Sequence, residues 1–311
     1  MEIFWHTLIL SAGLVLLVKG ADWFVNGASE LAARFGLSQL FIGLTVVAMG
    51  TSMPEAAVSI SAVIKGNADI TIGNVVGSNI LNILIILGLS AVITPLLVKK
   101  STIRYELPFL TGVSILLIIQ SIDGRIGLAD GIVQTILFSL YIAYLFVSER
   151  KNCTEDEPET ANPKNKKIWQ IILLCILGLA ATVAGSSISV DAACEIASIL
   201  GMSERFIGLT IVALGTSLPE LVTSATAARK GKADIAIGNI VGSNIFNILF
   251  VVGISALIHP VTFAASFRFD SCVSIAATIF LILFCMKDNK LKRWHGALML
   301  TGYAAYFIAI L

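Results

Sequence analysis

Charge is scarce in this chain. Of its 311 residues, 13% are Asp, Glu, Lys or Arg and 57% are hydrophobic, with a mean hydropathy of +0.91. Soluble domains carry roughly 25% charged residues, so a water-soluble fold is excluded. Twenty-one basic against 20 acidic residues leave a formal net charge of +1, which gives no electrostatic reason to expect nucleic acid. The five cysteines (Cys153, Cys175, Cys194, Cys272, Cys285) are odd in number and lack metal-type spacing, which removes a disulfide framework and a zinc site. His6, His259 and His295 are widely separated, near expected helix ends. With no Ser–His, metal or aspartyl pair at membrane depth, an intramembrane hydrolase has no machinery, so the chain is not expected to be an enzyme or to need a cofactor. A cleavable signal is missing too: Glu2 stands where a basic segment would, and no A-x-A-like site follows the first apolar run.

What is present is long apolar runs, such as Phe4 to Val18, Ile80 to Val98 and Ile168 to Ala184, each about as long as a bilayer core is thick. They are also written twice. Gly36 to Pro95 lies on Gly201 to Pro260 without a gap, and roughly three-fifths of the aligned positions are identical, far above what shared hydrophobicity gives. FIGLTVVAMGTSMPE (Phe41 to Glu55) matches FIGLTIVALGTSLPE (Phe206 to Glu220), and ADITIGNVVGSNILNIL (Ala68 to Leu84) matches ADIAIGNIVGSNIFNIL (Ala233 to Leu249). Between the copies lies the one long polar stretch, Ser148 to Lys167, read as a flexible cytoplasmic loop. The expected organisation is a five-helix repeat over 1–147, the loop over 148–167 and a second repeat over 168–311. Spans are expected near 3–25, 39–64, 71–96, 103–121 and 127–147, then 168–190, 204–228, 236–258, 268–286 and 294–311.

Five is an odd number of crossings, so the second copy must enter from the opposite side. The expected fold is therefore an all-α integral membrane protein of ten transmembrane helices in two inverted repeats. Charge placement agrees. Equivalent loops carry Lys65 alone in one copy and Arg229, Lys230 and Lys232 in the other. By the positive-inside rule the basic-rich side is cytoplasmic and both termini face out, which places the chain in the cell membrane as a multi-pass protein.

Most acids fall in loops or at helix ends, but Glu55 and Glu220 sit deep in apolar runs at equivalent places. A carboxylate near the bilayer centre costs several kcal/mol unless solvated, paired or protonated. No Lys or Arg lies in these segments, so the natural counter-charge is a bound cation. Pro54 and Pro219 should break each helix and leave carbonyls unpaired near Ala48 to Thr51 and Ala213 to Thr216. Thr51 and Glu55 share a face, as do Thr216 and Glu220, and Ser52 and Ser217 add hydroxyls. In the second motif Ser78 and Asn82 lie on one face, repeated as Ser243 and Asn247, while the pairs Gly73/Gly77 and Gly238/Gly242 permit close helix approach. Such a cage of carboxylate, carbonyl and hydroxyl oxygens suits calcium and sodium, not zinc or copper. Asn74 and Asn239, or Asn79 and Asn244, could equally be packing residues and are left outside the main site, and Asp69 and Asp234 read as helix N-terminal acids. Asp22 faces Ser187 across the repeat, whereas Glu30 has a counterpart in Glu195; their role stays open.

The paired GTSMPE and GTSLPE segments, each followed by GN-x-VGSN, resemble the alpha repeats of the sodium/calcium exchanger family within the calcium/cation antiporter superfamily, most closely its compact prokaryotic members. The resemblance spans nearly the whole chain. It implies four ion sites between the second, third, seventh and eighth helices. Glu55 and Glu220 would be shared calcium and sodium ligands, joined on calcium by the carbonyls of Thr51 and Thr216. Ala48, Ser52, Ser78, Ala213, Ser217 and Ser243 would supply sodium oxygens, and Asn82 and Asn247 would line the centre. Similar exchangers move about three sodium ions against one calcium by sliding the first and sixth helices over a fixed core. Some relatives carry Asp where this chain has Asn247, and the paired Asn speaks against potassium dependence. The expected function is Na+/Ca2+ antiport by alternating access, with calcium, sodium and the bilayer as partners and no obligatory protein partner. A proton/calcium antiporter using the same two Glu residues is the alternative; a channel fits the broken inverted helices less well.

Overall fold

The computed structural model describes residues 2–66, 68–152, 167–202 and 213–310. The first half runs α1 (Glu2–Phe35), α2 (Gln39–Thr51), α3 (Met53–Ile64), α4 (Ile70–Ile93), β1 (Leu96–Leu97), α5 (Thr102–Gln120), β2 (Arg125–Ile126) and α6 (Leu128–Asn152). The second half runs α7 (Ile168–Ile199), α8 (Ala213–Thr216), α9 (Leu218–Arg229), α10 (Ala233–Ile258), β3 (Val261–Thr262), α11 (Ser266–Met286), β4 (Lys290–Leu291) and α12 (Arg293–Ile310). Seven of these helices are long and apolar enough to span a bilayer alone, and α2 with α3, bent by 46°, makes an eighth. The 18 residues of α12 and the α8–α9 pair take the remaining two of ten places. The expected first part of the seventh span, 203–212, lies outside the described residues, as do the polar loop from 153 to 166 and Cys153 within it.

Two small ribbons give the relation between the halves. β1 pairs antiparallel with β4, and β2 with β3. β1 and β2 flank α5, a 19-residue helix about 28 Å long at 1.5 Å per residue, so the two ribbons lie at opposite ends of the bundle. The repeat copy of β1 is β3, which belongs to the other ribbon, and the copy of β2 is β4. Matching segments therefore sit at opposite ends, which is what inversion means.

Two spans exceed their expected length. Phe35 and Ile199 end α1 and α7, instead of residues near 25 and 190. Nothing between Val25 and Phe35 breaks a helix; both helices stop just before a glycine at positive φ, Gly36 (65°) and Gly201 (80°), the left-handed end that an L side chain resists. Glu30 and Glu195, expected between or near spans, thus lie inside these helices. α1 and α7 pack antiparallel along their length. Gly13, Gly20 and Gly27, one heptad apart, meet Ser189, Ala181 with Thr182, and Cys175; Gly178 and Gly185 answer against Phe24 and Leu17. A methyl group at Gly20 would stand 2.5 Å from the Thr182 nitrogen, so backbone approaches backbone there.

At the centre lie α4 and α10, each mostly enclosed by the other helices. Gly238 and Gly242 press on α2, where an added methyl would come within 2.9 Å of the Leu44 nitrogen and 2.6 Å of its carbonyl oxygen. The equivalent contacts of Gly73 and Gly77 would fall on 203–212, outside the described residues.

Candidate functional site

The broken helices place the two acids. α2 ends at Ser52 (φ −84°, ψ 5°), where the chain leaves helical geometry, and α3 restarts with Pro54 in its first turn and Glu55 beside it. Ser217 (φ −90°, ψ 4°), Pro219 and Glu220 repeat the pattern. Proline is at home in a first helical turn because its missing N–H has no intrahelical partner there anyway. The break in turn lets Ser52 and Ser217 face across the molecule. Ser52 Oγ donates to Glu220 Oε1 at 2.9 Å, and Ser217 Oγ to Glu55 Oε1 at 3.2 Å. Each acid is thus held by the serine of the opposite half. Glu55 is 1% exposed and Glu220 0%, and the second oxygen of each carboxyl has no hydrogen-bond partner.

An asparagine network supplies the rest. Asn79 Nδ2 donates to the Asn244 carbonyl (3.3 Å) and Asn244 Nδ2 to the Asn79 carbonyl (3.2 Å). Their side-chain oxygens then accept from Asn247 Nδ2 (3.2 Å) and Asn82 Nδ2 (2.9 Å) respectively. This ring fixes every amide's orientation. A carbonyl can only accept, so the inner pair must present NH2 to it; their Oδ1 atoms must then take the outer pair's NH2 groups. Asn82 and Asn247 are left with unpartnered, buried Oδ1 atoms. Four orphaned oxygens, from Glu55, Glu220, Asn82 and Asn247, come in two symmetry-related sets. A buried acceptor without a partner costs about 1–3 kcal/mol, and carboxylate and amide oxygens are groups of the kind that hard cations take. Asn82 and Asn247 also each open a π-helical turn, Asn82–Leu87 and Asn247–Val252, a widened geometry that concentrates at functional sites.

The other expected residues gather here with different degrees of engagement. Ser78 Oγ lies 3.3 Å from Ser217 Oγ, and Ser243 Oγ donates to the Ala48 carbonyl at 3.4 Å. That carbonyl also takes the Ser52 N–H (3.1 Å), so it is not bare, contrary to the expectation from Pro54. Proline removes only the hydrogen bond to Gly50, four residues back. The Thr51 hydroxyl lies within hydrogen-bond distance of the Val47 carbonyl (3.1 Å) and Asn239 Oδ1 (3.0 Å), where its single hydrogen serves one or is shared. Thr216 is half-buried at the end of α8. Ala213 opens α8, and its side chain lies outside the described residues.

The four asparagines left outside the site hydrogen-bond to its surroundings. Besides Asn79 and Asn244, Asn74 Nδ2 donates to the Glu55 carbonyl (3.1 Å) and Ser59 Oγ (2.9 Å), and Asn239 Nδ2 to Ser224 Oγ (2.9 Å). Their recurrence in both copies was the available signal. Ser186, on α7, was missed; its hydroxyl donates at 2.9 Å to the Gly215 carbonyl, the one freed by Pro219. Its repeat counterpart is Ala21, so no recurrence marked it. Asp234 lies in the first turn of α10 as expected and pairs with Lys99 at 3.2 Å. Among the described residues no group of three or more His, Cys, Asp and Glu gathers.

Comparison with known proteins gives a consistent picture. A family model described as sodium/calcium exchanger protein matches residues 5–148 and 170–311. A putative antiporter, CaxA of Alkalimonas amylolytica, is 41% identical over 309 residues, covering 96% of this chain and 97% of its own. The sodium/calcium exchanger MaX1 of Methanosarcina acetivorans is 33% identical, with 97% of each chain covered. Among solved structures, the sodium-calcium exchanger NCX_Mj soaked with 10 mM Na+ and zero Ca2+ superposes with a TM-score of 0.87 at 34% identity, covering 99% of this chain and all of that one.

Proposed function

This chain belongs to the sodium/calcium exchanger family, and from that premise we propose that it exchanges Na+ for Ca2+ by alternating access, the two ions competing for one mid-membrane oxygen cage. The observation that carries the reading is the set of four buried, unpartnered oxygens on Glu55, Glu220, Asn82 and Asn247, contributed equally by two inverted halves. In this reading the two carboxylates serve both ions. The Thr51 and Thr216 carbonyls complete the calcium shell, and Ala48, Ser52, Ser78, Ala213, Ser217 and Ser243 supply oxygens to sodium. Calcium takes six to eight oxygens and tolerates irregular geometry, which suits a site assembled from carboxylates, amides and hydroxyls.

Charge sets the rule of exchange. Two carboxylates neutralise one Ca2+, and three Na+ leave the site one charge positive, which makes the cycle electrogenic. An empty site holds two charges in a dry environment, where each costs several kcal/mol, so only loaded states reorient and calcium moves only against a counter-ion. The basic-rich β1–β4 end, with the loop over 148–167, faces the cytoplasm in this proposal, and both termini face out.

The test is radioactive calcium uptake into proteoliposomes under imposed sodium, potassium or proton gradients. An outward sodium gradient drives uptake if the reading is right. Uptake driven by a proton gradient alone transfers the same two acids to proton/calcium antiport, and flux without any counter-ion makes the protein a channel.

A further inference from the structure

A transporter made of inverted repeats reaches its second conformer by moving one part against another about a fixed site, so that the halves exchange roles. Contacts that differ between equivalent places in the two halves therefore mark what has to change. The strongest such difference is at the β1–β4 end. Lys230, just after α9, reaches α1: its Nζ pairs with Asp22 Oδ1 at 2.5 Å and donates to Asn26 Oδ1 at 2.7 Å and to the Asp22 carbonyl at 3.2 Å.

The repeat copies of these three residues are Lys65, Ser187 and Asp191. The carboxylate has shifted by one helical turn, from the Asp22 position to the Asn26 position, but each set keeps one lysine and one aspartate. In the present conformer the second set is open. Lys65 and Asp191 are both exposed, and among the described residues neither side chain has an ion-pair or hydrogen-bond partner. Lys65 lies at the β2–β3 end, before α4, as Lys230 lies at the other end before α10. Both aspartates belong to the pair α1 and α7, whose contacts with the core include large side chains resting on glycine. Phe24 and Leu179 lie on Gly50, and Val190 on Gly215.

We propose that Lys65 and Asp191 close on each other in the second conformer as Lys230 releases Asp22 and Asn26, so that two latches at opposite ends alternate. Trading one ion pair for another keeps the two conformers near balance, where a single unreplaced latch would hold the protein in one of them. The other charges nearby are Glu30 and Lys232 at the first latch and Glu195, the copy of Glu30, in the same helix as Asp191. The proposal rests on the alternating-access reading above.

Cross-linking tests it in the full-length protein with its native cysteines replaced. Asp22→Cys with Lys230→Cys, and Asp191→Cys with Lys65→Cys, are bridged by a short bifunctional methanethiosulfonate, because a lysine's reach exceeds a disulfide's. Each bridge is expected to stop calcium flux, and reductant to restore it, which shows that the variants fold. In a protein carrying all four cysteines, single molecules should hold one bridge or the other, never both. Asp22→Asn should raise the Lys65–Asp191 bridging yield about threefold, the size expected from a partly exposed ion pair. Absence of the second bridge, both bridges in one molecule, or an unchanged yield in Asp22→Asn overturns the latch. The failures separate: sodium-driven flux without a second bridge removes the latch alone, whereas alternating bridges with proton-driven flux leave the latch and remove the sodium assignment.

Discussion

Glu55 and Glu220 are held apart from solvent with one oxygen bonded and one bare. That arrangement is costly without a cation, which gives the site two measurable signatures. In Glu55→Gln and Glu220→Gln the buried charge disappears, so without ions each variant should melt no lower than the native protein. Calcium at a hundred times its dissociation constant stabilises the native protein by about 2.7 kcal/mol, and a thermal-shift assay should find that rise lost in both variants, together with exchange. A variant that still gains stability from calcium would remove that glutamate from the site. The asparagine ring makes a separate prediction. Asn79→Leu removes both the donor to the Asn244 carbonyl and the acceptor of the Asn247 amide, which is then free to turn its NH2 toward the pocket. A lost buried hydrogen bond of about 1–3 kcal/mol corresponds to roughly a five- to hundredfold weaker calcium affinity, measurable by titration calorimetry. The acids were legible in the sequence because charge inside an apolar run is rare. The role of Asn79 and Asn244 was not, because an amide that binds a cation and one that aims its neighbour look alike until partners are seen.

Helix-scale features divide in the same way. The break at Ser52 follows from Pro54, which has no N–H for the Gly50 carbonyl and whose ring crowds that carbonyl. The π turns starting at Asn82 and Asn247 have no such local cause, since the sequence through each is an ordinary apolar run. The glycine seam of α1 and α7 lies between these cases: the spacing of Gly13, Gly20 and Gly27 is visible, but its partner is not. Gly20→Ala puts a methyl 2.5 Å from the Thr182 nitrogen and 2.8 Å from the Ala181 carbonyl carbon, backbone atoms that cannot step aside. This variant should cut exchange at least tenfold in the proteoliposome assay. Gly112→Ala in α5, where the added methyl meets nothing within 4 Å, should leave it unchanged and controls for helix propensity.

Taken whole, the molecule is two oppositely inserted copies joined at a shared oxygen site, and its orientation in the bilayer is set by basic residues outside the core. The β1–β4 end carries Lys99, Lys290, Lys292 and Arg293 in or beside its ribbon, the β2–β3 end Arg125 and Arg268. Single cysteines at Glu2 and Lys292 should therefore separate under a membrane-impermeant thiol reagent in intact cells. Position 2 should label from outside, and position 292 only after the membrane is opened. The reverse pattern would invert the proposed topology without altering the site.

The amino-acid sequence alone determined the membrane as solvent, the doubling, the inversion and the two central acids. Each rests on a property the chain carries locally: too little charge for water, identity between segments, an odd number of spans, and carboxylates where lipid would penalise them. Tertiary structure decided which serine holds which acid, which face of four amides points inward, and which of two equivalent lysines is engaged. Those depend on atoms 162 to 208 residues apart in the chain, and a hydrogen bond's direction exists only once both partners are in place.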